Sequence, residues 1–75
     1  MLKRKVRGEF IKRELITDQL EVQVIHGVAY ISGDLRGSRA RKIVDWKREL
    51  AIIESAISAI HGIRGIDNHV KCFDL

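Results

Sequence analysis

The sequence predicts a single α+β domain with the element order αββαβ, a two-layer sandwich in which two helices cover one face of a three-stranded sheet. Residues 20–33 alternate apolar and polar side chains, and residues 39–61 repeat apolar side chains at steps of three and four. The chain has 75 residues, enough for one domain. A core of this size leaves room for a binding surface but little for a deep catalytic pocket.

The N-terminal segment, residues 2–15, has the apolar spacing of an amphipathic helix. Leu2, Val6 and Phe10 are four residues apart and therefore share one helical face. A loop is predicted at Thr17 and Asp18, before the first strand.

A β-hairpin is predicted over residues 20–33, with His26 and Gly27 as its two-residue turn. Glycine adopts positive φ without strain, and histidine is among the residues enriched there. The turn sets the register, so the side chains divide between two faces. One face is predicted to hold Leu20, Val22, Val24, Ala29 and Ile31, with Leu20 opposite Gly33, and the other face to hold Ile25, Val28 and Tyr30.

A second, long helix is predicted over residues 39–61, with Ser38 as its N-cap and Gly62 as the glycine that ends it. Its apolar seam consists of Ile43, Trp46, Leu50, Ile53, Ile57 and Ile60. Such a helix would be about 34 Å long, whereas strands of this size span roughly 20 Å. We therefore expect its N-terminal part to project beyond the sheet.

The last strand is predicted over residues 66–73. His69 and Cys72 are three residues apart, which places them on opposite faces of a strand, so we expect no metal site and no cofactor. The Gly-x-x-Gly pattern at residues 62–65 leads into this strand instead of joining two helices, as it does in nucleic-acid-binding KH domains. Structural roles are predicted for three glycines, Gly27, Gly33 and Gly62.

Positive charge is concentrated at the N-terminus. The chain has 14 Lys and Arg against 10 Asp and Glu, and the excess of four comes from Lys3, Arg4, Lys5 and Arg7. We therefore divide the chain into a basic N-terminal arm, residues 1–8, and a neutral domain, residues 9–75. Such an arm is typical of contact with an anionic surface, either nucleic acid or lipid head groups.

Four large side chains are predicted to lie at an interface with a second copy of the chain. Tyr30 and Phe73 are expected on the open face of the sheet, and Ile43 and Trp46 on the projecting part of the long helix. Exposed apolar patches of this kind are unusual on a small monomer, so we expect a homodimer, and the alternative is that the N-terminal segment of the same chain covers them.

The hairpin and the segment after the long helix resemble the BON (bacterial OsmY and nodulation) domain. The first match is Leu20-x-Val22-x-Val24, the turn glycine Gly27, and Val28-x-Tyr30-Ile31-Ser32-Gly33. The second match is Ile60-His61-Gly62-Ile63-x-x-Ile66-x-Asn68-x-Val70. The resemblance covers about residues 10–73.

The resemblance implies an αββαβ domain that is not an enzyme and that binds anionic phospholipid head groups, in a family associated with envelope integrity and stress. The lipid-binding residues would then be Lys3, Arg4, Lys5 and Arg7. The alternative is a protein-assembly module without a lipid ligand, and nucleic-acid binding through the same arm is a less favoured third function.

Three sequence features bear on where in the cell this protein is located: apolar runs, cysteines and a signal peptide. No run of about 18 apolar residues is present, so no transmembrane segment is expected, and Cys72 has no second cysteine for a disulfide. The absence of a signal peptide favours the cytoplasm, whereas a signal removed before residue 1 would place the domain in the periplasm.

Overall fold

The computed structural model describes residues 2–73 of the chain, which contain two helices and four strands. The helices are α1, Leu2–Lys12, and α2, Trp46–Ser58. The strands are β1, Leu20–Ile25; β2, Val28–Arg36; β3, Gly65–Asn68; and β4, Lys71–Phe73. The α+β class is confirmed, but the predicted three-stranded layout is corrected to a mixed, open sheet of four strands.

The hairpin of β1 and β2 has the predicted turn and register. His26 and Gly27 have φ values of 51° and 80°, the two positive values that a type I′ turn requires. The paired residues are Val24 with Ala29, Val22 with Ile31, and Leu20 with Gly33, as predicted. Local sequence alone therefore determines which side chains of this hairpin enter the core.

The predicted last strand is divided into β3 and β4, and both pair in parallel with the same edge of β2. The Asn68 side chain accepts a hydrogen bond from the Val70 backbone N–H at 3.1 Å. Such a bond offers the chain an alternative to the regular ladder. Since β3 and β4 keep one register along β2, the sheet is three strands wide although it has four strands.

The second helix is shorter than predicted, because it begins at Trp46 and not near residue 39. Asp45 is its N-cap and accepts a hydrogen bond from the Arg48 backbone N–H at 3.2 Å. The helix has 13 residues, about 20 Å, and therefore matches the sheet in length. The predicted projection of a long helix is wrong, and residues 37–45 instead form a loop before α2.

The end of α2 also differs from the prediction. The helix ends at Ser58 with Ala59 as its C-cap. Gly62 lies in the turn that follows, with φ of 100°, so it shapes this turn and does not end the helix.

The core lies between the sheet and the two helices. Val6 and Phe10 of α1 are fully buried, and Ile53 and Ile57 of α2 are at most 1% exposed. These side chains form one cluster with Val22, Ala29, Ile31 and Leu35 of the hairpin, so both helices cover the same face of the sheet. The boundary predicted between a basic arm, residues 1–8, and a domain, residues 9–75, falls inside α1.

Neither helix within residues 2–73 has the length and apolar content needed to cross a bilayer.

Candidate functional site

A buried carboxylate, Glu49, lies where the end of α1 meets the start of α2. Its side chain faces the interior of the protein, and the residue is only 4% exposed. Arg13 donates to Glu49 from Nε at 2.8 Å and from Nη2 at 2.9 Å. Arg41 donates from Nη1 at 2.6 Å and from Nη2 at 2.9 Å. Hydrogen bonds from Arg13 and then Arg41 lower the pKa of Glu49 to about 2, so the carboxylate is ionised at neutral pH.

The second arginine gives this cluster an excess of positive charge. One guanidinium would balance the single charge of Glu49, whereas Arg13 and Arg41 together leave a net charge of +1. Both arginine side chains remain about one-third exposed, at 31% and 35%. The cluster therefore connects a buried charge in the helical layer to a positive surface.

That surface is the floor of an open groove of about 400 Å³. Four cations line the groove, namely Arg13, Arg41, Lys42 and Arg48, together with the carboxylates Asp45 and Glu49. Two aliphatic side chains complete it: Val44, which is 94% exposed, and Ile52, which is 41% exposed. The groove thus combines a net positive charge with apolar side chains that face solvent.

From the sequence, Arg41 and Glu49 belong to a mixed cluster of charges over residues 34–49 that predicts a solvated helix face and not a site, and Arg13 is not singled out. Their separation explains this, since Arg13 is 36 residues from Glu49. One signal was present: Glu49 lies four and eight residues before Ile53 and Ile57, on the apolar stripe of α2. A carboxylate on a buried stripe requires a cationic partner, although the sequence does not identify which one.

The predicted lipid-binding residues divide into two groups. Lys3, Arg4 and Lys5 are exposed on the first turns of α1. Arg7 is half-buried and donates to two backbone carbonyl oxygens, at 3.0 Å to Leu20 and at 2.7 Å to Thr17. Arg7 therefore ties α1 to the start of β1, while the other three cations face solvent.

The four predicted interface residues do not lie on one surface. Ile43 is 6% exposed and belongs to the core, and Trp46 is half-buried and packs against the core. Tyr30 and Phe73 are exposed on the open face of the sheet. Phe73 pairs with Arg36, six residues along β2 from Tyr30, so the two rings are roughly 20 Å apart.

The three glycines predicted to be structural all have positive φ: 80° at Gly27, 93° at Gly33 and 100° at Gly62. A Cβ atom at Gly33 would overlap the Gln19 carbonyl oxygen. The Arg64 side chain donates to the His26 carbonyl oxygen at 2.6 Å, and its backbone N–H donates to Gly27 at 2.8 Å. The hairpin turn is thus held against the segment that follows α2.

His69 and Cys72 have the spacing of a possible metal pair, although the sequence predicts no metal site there. His69 is exposed, with Nε2 at 2.6 Å from Asp67 Oδ1, and Cys72 is half-buried. Burial raises the pKa of the Cys72 thiol. Within residues 2–73, no three side chains of His, Cys, Asp or Glu converge on a possible metal position.

The open face of the sheet differs in charge from the helical layer. Alternation along the paired strands places three acids, Glu21, Asp34 and Asp67, and two cations, Arg36 and Lys71, on that face. Its formal charge is therefore slightly negative, whereas the helical layer carries both Lys3–Lys5 and the cationic groove.

The helical layer therefore combines cations with exposed aliphatic side chains, whereas the open face of the sheet does not have an excess of cations. No protein-family model, curated protein or solved structure matches the chain.

Proposed function

We propose that this chain is a non-enzymatic, BON-like binding module that binds anionic phospholipid surfaces through its helical layer. The observation that carries the proposal is the cationic groove, where Lys42 and Arg48 lie beside the exposed side chains of Val44 and Ile52. Cations attract anionic head groups, and aliphatic side chains enter the boundary between head groups and acyl chains.

The outer side of α1 extends this surface. Val6 and Phe10 point into the core, so the opposite side of the helix carries Arg4, Lys5 and Ile11. Ile11 is exposed, and Lys3 and Arg4 have no ion-pair partner within residues 2–73. An amphipathic helix with cations beside an exposed isoleucine is suited to lie along a membrane surface.

The expected strength of binding follows from the charges. Each Lys or Arg near an anionic surface contributes about 1 kcal/mol. Lys3, Arg4 and Lys5 together would contribute roughly 3 kcal/mol, about 100-fold in partitioning. Because exposed charges are screened by salt, the binding should fall steeply as ionic strength rises.

The resemblance to the BON domain is part of this proposal. It is supported by the order helix, hairpin, helix and strand, and by the Ser32-Gly33 pair within β2. Membrane binding by BON domains supports the choice of an anionic lipid over other anionic surfaces.

The proposal is tested by co-sedimentation of the full chain with vesicles of phosphatidylglycerol and phosphatidylcholine, at low and high salt. We expect salt-sensitive binding to the anionic vesicles only. K3Q/R4Q/K5Q should bind roughly 100-fold more weakly. The matched control R36Q/R39Q/K71Q removes as much charge from exposed positions outside the two helices and the groove and should retain most of the binding.

Equal losses in the two triple variants would show that net charge alone is responsible and would contradict a defined surface. Equal binding to zwitterionic vesicles would contradict an electrostatic mechanism. An oligonucleotide that displaces the chain from vesicles at stoichiometric concentration would favour nucleic acid as the ligand.

A second candidate function is self-association through the open face of the sheet. Ile25 and Tyr30 are exposed there, and Val28 lies directly opposite Ile25 at the hairpin end. Sedimentation equilibrium without lipid should then detect a dimer that Tyr30→Ser weakens by about tenfold or more. A monomeric wild-type chain at all concentrations would remove this candidate and leave the lipid proposal intact.

A further inference from the structure

We propose that the groove between the end of α1 and the start of α2 selects a phosphomonoester over a phosphodiester. This inference rests on the proposed function, because a phosphatidic-acid head group at the bound membrane is the source of phosphomonoester to which we commit. The groove is defined by Arg13, Arg41, Lys42 and Arg48 with the aliphatic side chains of Val44 and Ile52.

The two arginines on the floor of the groove are held in fixed orientations. Each donates two hydrogen bonds to the buried carboxylate of Glu49, at 2.6–2.9 Å. A guanidinium has five N–H groups, so each arginine retains donors beyond those that Glu49 uses. Arg13 Nη1 and Arg41 Nε have no hydrogen-bond partner within residues 2–73. Preorganised donors of this kind lose little freedom when they bind an anion.

The net charge of the groove matches a dianion. Four cations and two carboxylates leave a formal charge of +2. Asp45 is already engaged as the N-cap of α2, through its hydrogen bond from the Arg48 backbone N–H. A phosphomonoester carries about −1.5 to −2 at pH 7 and offers three acceptor oxygens. A phosphodiester carries −1 and offers two unesterified oxygens, so it satisfies fewer of the donors.

The apolar rim distinguishes a lipid from a free phosphate. Val44 and Ile52 line the same groove as the four cations. Carbon atoms of the glycerol and acyl chains would contact these side chains while the phosphate remains among the arginines. A free phosphomonoester would make only the polar contacts and would bind more weakly.

The test compares phosphatidylcholine vesicles that contain either phosphatidic acid or phosphatidylglycerol, with the two surface potentials matched. The full chain should bind the phosphatidic-acid vesicles about tenfold more tightly at pH 7.5, the equivalent of about 1.4 kcal/mol. The preference should shrink near pH 5.5, because the second ionisation of a phosphomonoester has a pKa of about 6.

Two variants of equal charge locate the site. K42Q/R48Q removes two exposed groove cations that form no ion pair with Glu49 within residues 2–73, and it should abolish the preference for phosphatidic acid. R39Q/K47Q removes two exposed cations of the same region that do not line the groove, and it should keep the preference. Equal loss of the preference in both variants would contradict this location.

The failure of this inference is distinguishable from failure of the proposed function. Equal binding to the two anionic vesicles would overturn selectivity for a phosphomonoester while leaving the lipid function in place. If neither vesicle binds, glycerol 3-phosphate and dimethyl phosphate are titrated while the backbone amide signals of Lys42 and Arg48 are followed by NMR. Shifts with the monoester alone would support the inference without the lipid function, and no shifts would overturn both.

Discussion

The two outer surfaces of this molecule differ in charge although they belong to one small fold. The helical layer carries Lys3, Arg4 and Lys5 at one end and the cationic groove at the other. The open sheet face mixes acids and cations, and its exposed apolar side chains lie at the hairpin end, with Phe73 roughly 20 Å from Tyr30. The comparison shows that a chain with a modest net charge of +4 can still concentrate its positive charge on one of its two surfaces.

The helical layer depends on its ion cluster in a way the sheet face does not. The double variant R13M/R41M should have the largest effect on stability, because it removes both arginine partners of the buried Glu49 carboxylate. We expect a loss of about 3–5 kcal/mol in the free energy of unfolding, measured by urea denaturation. A loss below about 1 kcal/mol would show that Glu49 reaches water once the arginines are removed.

The pH dependence of this variant has the opposite sign to that of the wild type. In the wild type, the folded pKa of Glu49 is lowered to about 2, below an unfolded value of about 4.3. Its stabilisation is therefore complete above the unfolded pKa and is lost as pH falls towards 2. Without the arginines, burial should raise the folded pKa, so the variant should gain stability as pH falls through 5. Parallel pH profiles of the urea midpoint would contradict this assignment.

The sheet depends instead on a backbone conformation at Gly33. Its φ of 93° and the close approach of the Gln19 carbonyl oxygen leave no space for a Cβ atom. Gly33→Ala should cost about 1–3 kcal/mol in thermal or urea unfolding. Vesicle affinity of the folded protein should be unchanged, because no charge of the helical layer is altered.

Gly65→Ala is the matched control in the same sheet. An added Cβ there would lie at ordinary contact distance, 3.6 Å from Val28 Cγ2. The control should stay within about 0.5 kcal/mol of the wild type. Equal losses of stability in Gly33→Ala and Gly65→Ala would show that the positive φ of Gly33 does not cause the loss.

Apart from the Gly65→Ala control, the smallest expected change in stability is at Gly8, on the outer side of α1. Apart from the adjacent residues and the backbone of the helix itself, no atom lies within 4 Å of an added Cβ at this position, and the residue is inside the helix. Gly8→Ala should therefore stabilise the protein by about 0.5–1 kcal/mol, seen as a higher melting temperature. A destabilised variant would indicate that the helix needs the flexibility of glycine there.

Sequence reasoning succeeded where structure is determined locally. The alternation of residues 20–25 and the His26–Gly27 turn are sufficient to define the hairpin and its register, since both act over neighbouring residues. Apolar spacing also located Val6 and Phe10 in the core through the same short-range logic.

Sequence reasoning failed where tertiary contacts decide. The apolar spacing continued through Ile43, which suggested a helix from residue 39, but Ile43 is buried from a loop and Asp45 begins the helix. The sequence predicts Arg7 to be a surface cation, but its side chain donates to backbone carbonyl oxygens ten and thirteen residues away. The groove needs Arg13 and Glu49 together, and no periodicity relates residues 36 positions apart.

The central claim, that the helical layer faces the membrane, is tested most directly by labels on the two surfaces. In a Cys72→Ser background, an environment-sensitive fluorophore is attached to V44C in the helical layer or to S32C on the open sheet face. Addition of phosphatidic-acid vesicles should shift the emission of the Val44 label to the blue and leave the Ser32 label unchanged. A blue shift at Ser32 with none at Val44 would contradict the account.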